Sequence, residues 1–154
     1  MDGVFLPPGD ASVQSLPSSP PLDLSLVAEK LSGQIVTMLL PEAMSSTAVK
    51  LSWEVRRNQR FIEGFHIRYR AMPTVDDQAG GGRTGVNLAD WTVETIQSNS
   101  ATMYTLHNLD RYTWYEINIQ PFYSTLVGQE SNVVRVRTFE DGNYLFYANK
   151  SEFI

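Results

Sequence analysis

The stretch Leu106 to Ile119, L-H-N-L-D-R-Y-T-W-Y-E-I-N-I, constrains the fold more than any other part of this chain. Tyr115, Ile117 and Ile119 recur with a period of two, which places them on one buried face of a β-strand. Leu106, Leu109 and Thr113 precede that strand and read as the link from the strand before it. A tyrosine at the start of such a strand can bury its ring and bond its hydroxyl to nearby backbone, the corner device of Greek-key sandwiches.

The same alternation recurs along the chain. Val49, Leu51, Trp53 and Val55 alternate with Lys50, Ser52 and Glu54, the clearest half-buried strand. Trp53 is expected to be the largest piece of the core, burying roughly 150–250 Å². A further strand follows the turn R-R-N-Q-R, with Ile62, Phe65, Ile67 and Tyr69 set against His66, Arg68 and Arg70. Gln34 to Leu40, stopped by Pro41, suits a first strand. Trp91, Val93 and Thr95 suggest another short one, and Tyr104 and Leu106 another. After a turn at Leu126 to Gly128 comes a last strand, with Val134 and Val136 inward and Arg135 and Arg137 outward. About seven short strands without a helix of consequence predict an all-β antiparallel sandwich. Trp53, Tyr69, Leu109 and Tyr115 are its expected core.

The flanks differ in composition. Residues 1–25, with L-P-S-S-P-P at Leu16 to Pro21, read as a Pro/Ser-rich arm or linker. Leu26 to Leu31 suits a short helical turn ended by Gly33. The folded domain is expected over residues 26–140, and 141–154 form a short atypical tail. The net charge of −5 lies outside residues 46–138, which carry ten Lys/Arg and nine Asp/Glu, whereas residues 1–45 contribute −4 and residues 139–154 contribute −2. A near-neutral domain gives no electrostatic case for nucleic acid. The absence of cysteine removes disulfides, thiol catalysis and thiolate metal sites together. No signal peptide and no membrane span are expected within this chain.

Trp53, the I-x-x-F-x-I-x-Y run at Ile62 to Tyr69 and L-x-x-x-T-x-Y at Leu109 to Tyr115 together resemble a fibronectin type III domain. Arg111 stands where a proline is common in that pattern. A narrower resemblance is to the second such domain of roundabout axon-guidance receptors. It rests on W-E-V-R-R-N-Q-R-F-I-E-G-F-H-I-R-Y-R (Trp53 to Arg70), Y-E-I-N-I-Q-P-F-Y (Tyr115 to Tyr123) with Pro121 inside the strand, and L-S-G-Q-I-V at Leu31 to Val36. The resemblance implies a seven-stranded immunoglobulin-like sandwich. It also implies a non-enzymatic guidance or adhesion module in the extracellular part of a membrane receptor. Such a module spaces other domains and makes protein contacts, receptor self-contact among them, and the chain reads as a fragment of a larger receptor. The competing class is an intracellular scaffold domain of the same fold, or a small soluble binding protein.

The candidate contact face follows from strand order in such a sandwich. His66, Arg68 and Arg70 on one strand, Glu116 and Asn118 on the next, and Arg135 and Arg137 on the last share an outward face. Five potentially positive groups around one carboxylate suit an acidic protein or a sulfated glycan such as heparan sulfate. The plainer reading is a solvated face with cross-strand pairs through Glu116. Arg56, Arg57 and Arg60 either extend the patch or are ordinary loop charges. Trp114 alternates away from Tyr115 and is either an exposed interface anchor or is covered by the long loop or the arm. His66 and His107 sit in no catalytic or zinc motif, so neither catalysis nor a cofactor is expected. Asp76-Asp77, beside the glycine run Gly80 to Gly82 whose composition leads one to expect mobility, lacks the ordered oxygens of a calcium loop. Asn149 begins a glycosylation sequon, meaningful only in the secretory pathway.

Overall fold

Residues 22–73 and 88–140 are described by the structure, a computed structural model. The Asp76-Asp77 and glycine loop, most of the N-terminal arm, the tail and Asn149 lie outside the described residues. Among the described residues a short helix α1 (Leu24–Lys30) precedes nine strands: β1 (Val36–Met38), β2 (Glu42–Ala43), β3 (Val49–Val55), β4 (Gly64–Ala71), β5 (Thr92–Ile96), β6 (Met103–Leu106), β7 (Trp114–Tyr123), β8 (Leu126–Val127) and β9 (Val134–Arg137).

All pairings are antiparallel, and they form two sheets. In the first, β3 carries β1 and β2 along one edge and β6 along the other. In the second, the order runs β5, β4, β7, with β8 and β9 both on the far edge of β7. The nine strands are therefore the expected seven with the first and the last each interrupted.

Both interruptions have a local cause. Met38 opposes Trp53 while Glu42 opposes Lys50, so four steps on the first strand match three on β3. The extra residue is a bulge at Leu39-Leu40-Pro41, and it leaves Leu40 90% exposed. On the other sheet Ile117 opposes Val134 and Phe122 opposes Val127, so five steps on β7 match seven on the last strand. Pro121 lies at this gap. Proline inside a central strand forfeits a ladder bond unless its missing donor meets a break. Here the Pro121 carbonyl accepts from Gly128 N–H, and Ile119 N–H bonds to the buried Ser131 hydroxyl instead of a ladder carbonyl. The expected turn at Leu126 to Gly128 is thus short strand β8, and the chain reverses at Ser124, whose φ is 53°.

The inward faces fill the core as the alternation demands. Trp53 packs on Phe65 of the opposite sheet at 5.5 Å between ring centroids, among Leu51, Ile67, Ile117 and Ile119, all fully buried. Tyr69 is half-buried and meets Tyr115 at 6.3 Å. Tyr115 forms the corner: its ring is buried and its hydroxyl accepts the Asp110 N–H at 2.8 Å. Burial raises the pKa of that hydroxyl, and the Asp110 amide works against the rise. Thr138, almost wholly buried, completes the corner by accepting from Thr113 N–H at 2.9 Å and donating to the Asp110 carbonyl at 2.7 Å. With Arg111 in place of proline, the turn is held at Tyr112 (φ 51°), whose N–H bonds to the Phe139 carbonyl.

The helix carries more weight than its sequence suggests. It starts at Leu24 because the Asp23 side chain accepts Ser25 N–H at 3.0 Å, a standard N-cap. Seven residues do not hold a helix alone in water, but Val27 and Leu31 are buried in the core cluster with Ile35. The Asn58 side-chain amide caps the Lys30 carbonyl at 2.8 Å, and Arg56 N–H bonds to the Ile35 carbonyl. Gly33, at φ 75°, turns the chain away after the helix. Gly128 at the second strand break lets Leu31 approach: a Cβ there would lie 3.2 Å from the Leu31 carbonyl and 2.9 Å from Pro121.

Candidate functional site: the charged outer face of the second sheet

Strands β4, β7 and β9 carry the predicted residues to one face because side chains in register share a side. Arg70 opposes Glu116, which opposes Arg135, and Arg68 opposes Asn118. Trp114 opposes Arg137 one row further on. His66 opposes Gln120 at the other end.

The charges on this face are matched more fully than the sequence indicates. Glu116 is only 7% exposed, and its carboxylate accepts the Arg70 Nε–H while Arg135 approaches within 3.8 Å. A second carboxylate, Glu130, comes from the loop of the interrupted last strand. It pairs with Arg68 and accepts the Asn118 side-chain amide at 3.2 Å. Asn118 is fully buried beneath this pair. The picture of five cations around one carboxylate is corrected accordingly, since two Arg–Glu pairs neutralise the middle of the face.

An aromatic clamp holds the same arginines. Trp91 sits just before β5, with the Arg70 guanidinium 4.2 Å and the Arg68 guanidinium 4.7 Å from its ring centroid. Arg137 lies 3.3 Å over the Tyr112 ring. His66 stacks on Phe122 at 4.3 Å and shares a 3.0 Å hydrogen bond with the Thr95 hydroxyl. Burial lowers the pKa of His66 from its ordinary value, which favours the neutral ring.

Two features stay open at the far end of the face. Trp114 is 46% exposed, so among the described residues nothing covers it fully. It borders a groove of about 270 Å³ lined also by Met72, Pro73 and Arg135. Arg57 and Arg60 do not extend this end of the patch. Arg57 lies beside Gly33 and Arg60 lies over Phe61, both before β4 begins, whereas Met72 follows its end.

Glu130, Trp91 and Thr138 were not singled out from sequence. Trp91 had a signal: Trp91, Val93 and Thr95 alternate, but their shared face points outward, with Val93 and Thr95 exposed. Glu130 had none, because its position depends on the strand break. Among the described residues no three His, Asp or Glu side chains gather to hold a metal, and no helix is long and apolar enough to cross a membrane.

Comparison with known proteins gives this geometry a context. The sequence model described as the fibronectin type III domain matches residues 38–137. Roundabout homolog 1 of Homo sapiens is 25% identical over 126 residues, 82% of this chain and 7% of that protein. Protein sax-3 of Caenorhabditis elegans is 27% identical over 77% of this chain and 9% of that protein. Receptor-type tyrosine-protein phosphatase F of Danio rerio is 31% identical over 90% of this chain and 6% of that protein. The chain thus spans less than a tenth of the length of these relatives. A solved myokine structure superposes with a TM-score of 0.52 at 13% identity, covering 69% of this chain and 97% of the other, which speaks for the fold alone.

Proposed function

Because this chain belongs to the fibronectin type III family, matched over residues 38–137, we propose that it is a non-enzymatic module of a cell-surface guidance or adhesion receptor of the roundabout-like kind. It spaces neighbouring domains and offers the β4–β7–β9 face to protein partners, a second copy of the receptor included. The similarity to roundabout homologs and to sax-3 supports the receptor setting.

The observation that carries the contact role is the outer face itself. Arg68 and Arg70 are fixed by two carboxylates and a tryptophan, so little of their side-chain entropy is left to lose on binding. An exposed tryptophan at its end supplies an anchor of the kind that dominates protein interfaces. The neutralised centre also suits a protein better than a sulfated glycan, whose polyanionic chain draws on a row of free cations.

Sedimentation velocity from micromolar to millimolar concentration tests the self-contact. Association that weakens when Trp114 and Arg135 are both changed to Ser, with the far-ultraviolet spectrum unchanged, supports the face as the contact. A chain that associates equally well with and without those two side chains overturns it. A strictly monomeric chain transfers the test to the ectodomain of a candidate receptor, immobilised and probed with the same variants. Equal binding by parent and variants overturns the contact role.

A further inference from the structure

The charges of the outer face do not cancel at its Trp114 end. Glu130 is taken by Arg68 and Asn118, and Glu116 is held by Arg70 on one oxygen. Arg135 reaches the other Glu116 oxygen only at 3.8 Å, and its side chain is 62% exposed. Arg137, opposite Trp114 in the ladder, rests on Tyr112 and has no carboxylate partner among the described residues. Among the described residues one carboxylate therefore serves two guanidiniums, and the positive charge left over there lies beside the groove of Met72, Pro73 and Trp114.

Resting on the contact role proposed above, we infer that this groove receives a protein segment in which a carboxylate side chain stands next to an aliphatic one. The aliphatic group packs on the Trp114 indole, Met72 and Pro73. The carboxylate takes the second guanidinium edge of Arg135 that Glu116 leaves open. Both halves are needed. An apolar group alone leaves Arg135 half-paired, and an anion alone leaves the indole and Pro73 facing water. A sulfated glycan supplies the charge but no aliphatic body for the groove.

The three tryptophans make the test site-specific, because Trp53 is buried, Trp91 lies under two arginines and only Trp114 lines the groove. The probe is the capped dipeptide acetyl-Leu-Glu-amide, titrated to millimolar excess into the ¹⁵N-labelled full chain while the indole N–H resonances are followed. The expected result is a saturable movement of the Trp114 resonance alone. Acetyl-Leu-Gln-amide and the Arg135→Gln chain should each bind about tenfold more weakly or worse, the loss expected of one charge-assisted hydrogen bond. The unmoved Trp53 resonance certifies that Arg135→Gln is folded.

Equal movement with the Gln peptide overturns the carboxylate assignment. Movement with a heparin hexasaccharide but not with the Leu-Glu peptide overturns the protein assignment in favour of a glycan. Movement on raising the chain concentration without any peptide, lost in Arg135→Gln, identifies the occupant as a second copy and supports the groove. No movement under any of these conditions overturns the groove, while binding of a receptor ectodomain that still depends on the face leaves the broader contact role standing.

Discussion

The Tyr115 hydroxyl accepts the backbone N–H of Asp110 at 2.8 Å, so the second residue of β7 also pins the crossing that brings the chain to it from β6. Thr138, just past β9, bonds to the same turn at the Asp110 carbonyl and the Thr113 amide. Three separate stretches of chain meet there, and the corner is a stability element rather than a binding site.

Tyr115→Phe keeps the ring and removes only the acceptor. The Asp110 N–H is left in a part-buried place without its partner, which costs about 1–3 kcal/mol. Urea unfolding should show a lower midpoint with an unchanged slope. An unchanged midpoint would mean that water replaces the hydroxyl freely.

The helix ahead of the family-matched region is part of the folding unit. Leu31→Ala should cost about 2–5 kcal/mol, because Leu31 is buried against the second strand break. Leu26→Ala, on the exposed side of the same helix, should stay within about 0.5 kcal/mol. Equal and negligible effects at both positions would show that the helix is merely attached.

Gly64 opens β4 where no side chain fits. A Cβ there would collide with the Ile96 carbonyl oxygen and lie 2.8 Å from the Phe122 ring. Gly64→Ala therefore has to push backbone apart, at a cost of about 1–3 kcal/mol or more. The thermal midpoint should fall, and the amides of β5 should exchange faster; a variant with native exchange in β5 would rule out the clash.

Stability should decline on both sides of neutral pH, for opposite reasons. Burial holds the folded pKa of His66 below its usual 6.5, so below about 6.5 the unfolded chain binds the extra proton more readily. The contribution is fully present above that pH and is lost as pH falls. On the alkaline side burial raises Tyr69 and Tyr115, and the bond to Glu94 is the main cause of the rise at Tyr104. Their contribution is fully present below about 10 and is lost as pH rises through their folded values. His66→Gln should flatten the urea midpoint below about pH 6.5 and leave the alkaline limb intact. A slope that survives the substitution assigns the acid limb to other groups.

How much of this was legible depends on the range over which each signal acts. Alternation in Val49–Val55 and from Tyr115 to Ile119 is a property of neighbouring residues, so the strands, the buried Trp53 and the corner tyrosine could be read directly. The shared face of Arg68, Arg70, Glu116 and Arg135 followed from strand order. Trp91 shows the limit. Its alternation with Val93 was visible, but apolar residues on an edge strand do not declare which side is buried, and here they face out over the arginines.

The amino-acid sequence by itself determined the all-β strands and their buried faces, because strand periodicity and the tyrosine corner are local physics, while the rows of side chains on the second sheet came with the strand order that the family resemblance implies. Tertiary structure alone decided that Leu31 seats against the Gly128 break, that Glu130 swings onto Arg68 and Asn118, and that Trp114 remains open beside Arg135. Each of these depends on where a strand is interrupted and on what lies opposite the interruption. The partners are distant in the chain, so no local pattern encodes their meeting.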